Sequence, residues 1–452
     1  MIEIDDRSWT RAIDEARTLL QRAIRVNTVN PPGNEMALAR LIDGVLGEAG
    51  IDRRLLEPIA GRAAVVARLT GAGGAAPILL LSHMDVVGVD ATRWSVDPFG
   101  GEIRDGYLYG RGAIDDKGML AVNLETMLLL KREVIDRGLT LARDVIFVAT
   151  SDEEAGGEWG IDWLARHHAD LIRAEYALNE GGRIRIVRGR TLYAAVQCAE
   201  KVTHVLTVTA RGTGGHAAVP RPDNAIVRLA RSLSAIGAHR ERVRVLPTTR
   251  RFFAGLSTVW PVARERRAMA DVASGNAKKI RAGARALERV PVLDAVLRNG
   301  ISPTMLHGGI AANVIPPEVV ATINVRTLPG QSIGGVATRL RRAVADRNVI
   351  IDVTHEGQDA PVSDHRTPMF AAIDETVVTL DPRTAVVPYL STGATDSARL
   401  RRMGIKAYGI LPFPLAQEDE ERMHAHDERV PLASLAYGVR LVYGIVRRMT
   451  VP

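Results

Sequence analysis

Ile78-Leu-Leu-Leu-Ser-His-Met-Asp85 decides how the rest of the chain is read: an aliphatic run passes directly into a serine, a histidine and an aspartate. Such an uninterrupted apolar run is what a strand buried on both faces of a parallel sheet shows. Two more stretches have the same form. Val145-Ile-Phe-Val-Ala149 leads through Thr150 into Ser151-Asp-Glu-Glu154, and Tyr176-Ala-Leu178 leads through Asn179 into Glu180-Gly-Gly182. Between the first two, Gly118–Leu130 carries Met119, Val122, Leu124, Met127 and Leu128 and reads as a mostly buried helix. Strands alternating with helices predict an α/β domain, its central sheet flanked by helices on both faces.

In open sheets of this kind ligands bind beyond the carboxyl ends of the strands. One polar strand end would mean little, because polar residues must appear wherever a buried strand exits. Three in succession, with the acidic loop Gly110-Arg-Gly-Ala-Ile-Asp-Asp-Lys-Gly118, gather a histidine and several carboxylates at one sheet edge. Uncompensated carboxylates repel, so a cation is the expected partner. Mixed histidine and carboxylate donors suit zinc, with manganese or cobalt as substitutes.

Outward from this centre, Ile13, Ala16, Leu20, Ala23 and Ile24 share one helical stripe and Leu38, Leu41, Ile42 and Val45 another. The breaker-rich loop Asn27-Thr-Val-Asn-Pro-Pro-Gly-Asn-Glu35 separates them. After about residue 200 the pattern changes. Residues 205–210 alternate with period two, Ile226–Leu233 reads as a helix, 319–325 as a strand, Ile333–Val344 as a helix and 350–354 as a strand. The simplest reading is a smaller α+β unit, β–α–β–β–α–β, inserted into the larger domain. The expected division is therefore a catalytic domain from 1–199 and 358–452 and a lid or dimerisation domain from 200–357. Residues 240–300 are rich in Arg and Ala and have no assignment.

Composition narrows the function. The 452 residues are 46% hydrophobic and 25% charged, an ordinary globular balance that excludes a coiled coil or a disordered tail as the main body. A lone cysteine, Cys198, excludes an internal disulfide and reads as a buried structural thiol. The net charge of +7 raises nucleic acid as a partner, but the lysines (117, 131, 201, 278, 279, 406) are scattered. Aromatics at 4% leave little for base stacking, so no nucleic-acid binding is expected. No apolar run approaches the ~20 residues that span a bilayer. Met1–Asp6 lacks a basic region followed by an apolar one, so neither a membrane nor a secretory signal is expected and the location reads as cytoplasmic.

Further segments complete a pattern: Trp94-Ser-Val-Asp-Pro-Phe99, Tyr109–Gly118, Gly214-Gly-His-Ala217, Asn313-Val-Ile-Pro316 and His424-Ala-His-Asp-Glu428. With Ser82–Val87, Thr150–Glu154 and Leu178–Gly182, they resemble the dinuclear-zinc amidohydrolases and metallopeptidases. That family includes aminoacylase, carboxypeptidase G, carboxypeptidase S and succinyl-diaminopimelate desuccinylase. The segments keep the family's order over nearly the whole chain, and together are far more specific than any one alone.

The resemblance implies a zinc-peptidase-like catalytic domain with a mixed central sheet, and roles for named residues. His83 and Glu180 would hold one divalent metal, Glu154 and His424 the other, and Asp115 would bridge both, with a cis peptide after it. Asp85 would orient the His83 imidazole. Glu153 would be the general base toward a water held between the metals and would pass its proton to the leaving nitrogen. His216, from the inserted domain or from a partner subunit, would reach the oxyanion. Asn313 and Arg326 would hold a substrate carboxylate, and Gly393 would lie in the substrate-lining turn Gly393-Ala-Thr-Asp396. The implied activity is hydrolysis of an amide beside a free carboxylate, on a dipeptide or N-acyl amino acid, by a homodimer. Leu178-Asn-Glu-Gly-Gly182 departs from the carbamoylase pattern, which argues against ureido hydrolysis. The alternative is a catalytically silent binding protein that keeps the fold.

Plainer readings stand beside these. His83 alone would pass for a strand-end histidine, and Arg326 for one more surface arginine. Asp116 and Asp152 compete with Asp115 for the ligand role, and His426 with His424; the match to the family pattern favours Asp115 and His424. His216 could be only a turn residue. His167-His168 look like a metal pair, but adjacent helical residues do not share a face, so they read as solvated. Gly71-Ala-Gly-Gly74 precedes its strand and is a linker turn rather than a phosphate loop.

Overall fold

A computed structural model describes residues 4–451; the absence of a signal sequence over Met1–Glu3 therefore lies outside the described residues. The three apolar runs are neighbouring parallel strands. Ile78–His83 lies between Val145–Thr150 and Tyr176–Asn179, with Ser82 opposite Ala149, His83 opposite Thr150 and Leu80 opposite Leu178. That register brings their carboxyl ends to one edge.

Around them the larger sheet is mixed. In order it runs Asp52–Leu56, Ala64–Leu69, Val145–Thr150, Ile78–His83, Tyr176–Asn179, Lys406–Gly409, Arg190–Glu200, Arg183–Val187 and Pro414–Leu415; Ala385–Ser391 pairs with Arg190–Glu200. Ala64–Leu69 is antiparallel to Val145–Thr150, and Arg183–Val187 to Arg190–Glu200. The aliphatic run at 78–81 is continuous because both faces are covered. Ile78 and Leu80 enter the core built with the helices Asp6–Ile24, Lys117–Leu130 and Leu432–Thr450, whereas Leu79 and Leu81 pack with Ile161, Leu164 and Leu400 on the other face. Lys117–Leu130 is buried on nearly every side, which is why it lacks a polar stripe.

The second sheet has the order Gly300–Gly308, Glu318–Thr327, Val202–Arg211, Val349–His355, all antiparallel, with the helices Ala225–Ala238 and Ile333–Val344 on one face. Its chain order gives the β–α–β–β–α–β arrangement once Gly300–Gly308, which sequence periodicity did not reveal, is included. That strand is half-buried to exposed throughout and so carries no alternating apolar signal.

The unassigned stretch 240–300 forms helices, Pro247–Val259, Ala263–Ala273, Ala277–Leu287 and Pro291–Ala295. They bury Phe252, Phe253, Leu256, Met269 and Leu287 together with Leu192, Tyr193, Val387 and Tyr389 of the large sheet. Gly255 permits a close approach to the sheet, since a Cβ there would collide with the Val387 side chain. Lying inside the sequence of the insertion, this segment nevertheless covers the main sheet. A division drawn by chain order alone cannot express that.

Candidate metal centre and active site

The strand ends deliver the side chains. His83 ends its strand and is buried. Its Nδ1 lies 2.9 Å from the Asp85 carbonyl oxygen and 3.5 Å from Asp85 Oδ1. Its Nε2 lies 3.1 Å from Asp115 Oδ1. The other Asp115 oxygen, Oδ2, lies 3.1 Å from His424 Nε2, which is also 3.2 Å from Glu154 Oε1. Asp115 is thus flanked by one imidazole on each oxygen, and the peptide after it, Asp115-Asp116, is cis.

His83, Glu153 and Glu180 offer donor atoms within 4.8 Å of one another, and so do His83, Asp115 and Glu154. Glu180 is placed by the glycines after it. Gly181 has φ +106° and faces the Gln197 amide at 2.8 Å from where a Cβ would sit, while a Cβ on Gly182 would meet the Gly409 carbonyl. Glycine is the residue such a backbone admits.

The Asp85 carboxylate does more than face His83. Its oxygens accept the backbone N–H groups of Glu153 and Glu154, each at 3.1 Å, and the Asn30 amide at 2.8 Å. It therefore holds the backbone that presents the glutamate pair. Beneath it, Arg62 donates to Glu35 and to Asn30 at 2.8 Å each, and lies 3.3 Å from Asp152, whose φ is +70°. Asp116 is buried with one oxygen accepting the His83 backbone N–H at 3.2 Å and the other without a partner.

Charge is unbalanced here. Burial, reinforced by the Asp396, Glu154 and Asp115 carboxylates and opposed by His83, pushes the Glu153 carboxyl well above its ordinary range. Burial and the charges of Asp115 and Glu153 do the same to Glu180. Hydrogen bonds to Asp115 and Glu154 raise the His424 imidazole to about 10. Burial opposes charge on His83, yet its bonds to Asp115 and Asp85 hold it well above the ordinary value. Clustered carboxylates that must otherwise hold protons, beside imidazoles that must otherwise be charged, form a donor set that divalent cations fit.

The other expected residues lie elsewhere. His216 is exposed on a short ribbon, Gly215–His216 paired with Val314–Ile315, and its Nδ1 accepts the Ala218 N–H at 3.0 Å. Asn313 adjoins it, its carbonyl accepting the Ala217 N–H at 2.9 Å. Arg326 is half-buried on the second sheet, donating from Nε to Asn324 at 3.1 Å with one terminal nitrogen unpartnered. Gly393 is exposed, its N–H donating to Ser391 at 3.2 Å. Among the described residues no hydrogen bond or ion pair joins His216, Asn313, Arg326 or Gly393 to the His83–Asp115 cluster.

Sequence reasoning did not single out Asn30, Arg62, Glu35 or the buried Asp396. Asp396 is buried, accepts from Thr150 Oγ1 at 3.4 Å, and is pushed up to about 6 by burial against the opposing Arg399 charge. It was visible as the end of the Gly393–Asp396 turn, and Asn30 lay in the proline-rich loop; neither sits on a strand end, the feature that drew attention to the others.

Comparison with known proteins gives the family and the fold. The profile of Peptidase family M20/M25/M40 matches residues 79–448, and the chain belongs to that family. It is 28% identical over 381 residues to the human "N-fatty-acyl-amino acid synthase/hydrolase PM20D1", covering 82% of this chain and 74% of that protein. It is 27% identical over 429 residues to aminoacylase-1 of Sus scrofa, covering 93% and 92%. In fold it is similar to an M20 family metallo-carboxypeptidase from Sulfolobus solfataricus, with a TM-score of 0.72 at 18% identity over 96% of this chain and 99% of that one. Human carnosine dipeptidase 1 superposes with a TM-score of 0.69 at 15% identity, covering 98% and 97%. The chain is a metal-dependent hydrolase of amide bonds. Nothing in these comparisons supports a catalytically silent binding protein. No helix among the described residues is long and apolar enough to cross a membrane.

Proposed function

We propose that the protein hydrolyses the amide bond of dipeptides or N-acyl amino acids next to a free carboxylate, using two divalent metal ions. In this reading His83 and Glu180 would hold one ion and Glu154 and His424 the other, with Asp115 offering an oxygen to each. The observation that carries it is the placement of Asp115, each oxygen 3.1 Å from a different imidazole. Zinc suits the nitrogen and carboxylate donors best, with cobalt or manganese as substitutes. When bound, such a pair lowers the pKa of water and polarises a carbonyl.

The chain's own groups do the rest. Glu153, held by Asp85 through its backbone N–H, takes the proton of the attacking water and gives it to the leaving nitrogen. Asn313 and Arg326 hold the substrate carboxylate, for which a guanidinium fork is the matching donor, and Gly393 lines the same cleft. His216 reaches the oxyanion after the ribbon that carries it closes on the site, in the same chain or from a partner. The names of the human and Sus scrofa relatives support N-acyl amino acids as substrates.

The reading extends to assembly. In this reading 1–199 and 358–452 form the catalytic domain and 200–357 the lid that brings His216, with the helical stretch in 240–300 braced on the catalytic sheet. The strand Gly300–Gly308 is the outer strand of its sheet and exposes Met305 and Leu306, and Ile310 beyond it is 91% exposed. An unpaired, apolar edge is what a second copy of the chain covers, which favours a homodimer, here placed in the cytoplasm.

A hydrolysis screen of dipeptides and N-acyl amino acids tests the function, run after chelation and after return of zinc, cobalt or manganese. Activity is expected only with metal. Turnover that survives chelation, or that no member of either substrate class supports, overturns the reading.

A further inference from the structure

We propose that Glu428 is a positioning residue for the candidate metal centre, setting Asp115 through its backbone; this rests on Asp115 being the shared ligand proposed above. Glu428 is fully buried and spends both oxygens on one loop. Oε2 accepts from the Arg111 guanidinium at 2.7 Å and the Gly112 N–H at 3.0 Å. Oε1 accepts the Ile114 N–H at 2.8 Å and the Asp115 N–H at 3.1 Å. An ionised carboxylate has about four lone-pair sites, and all are used on a stretch whose last member is the proposed bridging ligand.

The rest of the segment is zipped to the same loop. The Gly110 N–H donates to the Glu428 carbonyl at 2.9 Å, Arg111 donates to the Ala425 carbonyl at 2.8 Å, and Arg429–Pro431 pairs with Tyr107–Tyr109. His424, four places before Glu428 in the sequence, faces Asp115 from the other side. One short segment near the carboxyl end thus supplies an imidazole to one oxygen of Asp115 and clamps the backbone of Asp115 itself. No hydrogen bond or ion pair joins the Glu428 side chain to His83 or Glu153; its one direct bond to a proposed metal ligand is the one it accepts from the Asp115 N–H.

A salt bridge that merely stabilises the fold would predict something different from a clamp. Glu428→Gln keeps the shape but turns one acceptor oxygen into an amide donor, opposing either Arg111 and Gly112 or Ile114 and Asp115. Arg111→Gln removes the charge partner and leaves the acceptors for Ile114 and Asp115 in place. The readouts are zinc affinity, by competition with a chromophoric chelator, the split between kcat and KM, and the melting temperature of the chelated protein.

For Glu428→Gln, zinc affinity falls roughly ten- to a hundredfold and kcat falls more than KM changes. For Arg111→Gln, the melting temperature drops comparably while zinc affinity is much better kept. Where Glu428→Gln does not fold, Glu428→Asp draws both oxygens back by one methylene group and lowers zinc affinity in the same way. Zinc affinity unchanged in both folded variants, Glu428→Gln and Glu428→Asp, or lost equally in Arg111→Gln, overturns the proposal. Failure of the unaltered protein to bind zinc overturns instead the assignment of the metal centre.

Discussion

The Asp85 carboxylate accepts the backbone N–H of Glu153 at 3.1 Å, in the same arrangement in which it accepts that of Glu154. Asp85 thus both faces the His83 imidazole and anchors the backbone of the glutamate pair. Asp85→Asn replaces one acceptor oxygen with a donor facing an N–H. We expect a loss of about ten- to a hundredfold in kcat or metal affinity, with secondary structure unchanged by circular dichroism. Wild-type turnover with full metal content would remove Asp85 from the site's support.

Glu153 and Glu154 are neighbours with different proposed tasks. Glu153→Ala is expected to lower kcat by about 10²–10⁴ with metal content retained, and Glu154→Ala to lower metal content as well. Metal analysis beside steady-state kinetics separates the two, and identical metal loss in both would merge the roles.

Arg326 keeps one terminal nitrogen without a protein partner on a half-buried strand. Arg326→Ala is expected to raise KM for substrates with a free carboxylate and to leave their methyl esters or amides little affected. Equal KM values for the acid before and after substitution would show that the carboxylate is held elsewhere.

Glu125 is buried on the helix Lys117–Leu130 beside Glu15 and Arg132, and one of its oxygens has no partner. Burial, then the Glu15 charge, pushes it from 4.5 up to about 9. The folded protein keeps this proton up to about 9, whereas the unfolded chain releases it near 4.5. Between those values folding must take up a proton, so stability falls as pH rises. Glu125→Gln is always neutral. It is expected to melt above the unaltered protein near pH 8 and together with it near pH 4, as followed by thermal unfolding. A gain at acid pH, or none at alkaline pH, would contradict this.

The catalytic sheet was legible because its central strands are buried on both sides. Ile78–Leu81 and Val145–Ala149 announce themselves as apolar runs, and the polar residues that end them stand out. Gly300–Gly308 was not, since an exposed outer strand has no reason to alternate. Nor was the helical stretch over 240–300, whose Phe252 and Leu256 show a buried face but cannot reveal that the cover is Tyr193 and Tyr389. Asp115 and Asp116 are adjacent residues of one type, which residue chemistry alone does not tell apart; the family pattern favours Asp115, and in the fold it faces two imidazoles while Asp116 faces the His83 backbone.

By itself the sequence determined the period and burial of the central strands, the chemistry waiting at their ends, and the family to which these belong. Tertiary structure alone decided that Glu428 meets the N–H of Asp115 across 313 positions, and that Asn30 and Arg62 stand behind Asp85. The physical reason is one of range. Periodicity and polarity are set by each residue's near neighbours and by whether a face is wet or dry, whereas a buried carboxylate's partners are whichever donors the closing chain brings within about 3 Å of it.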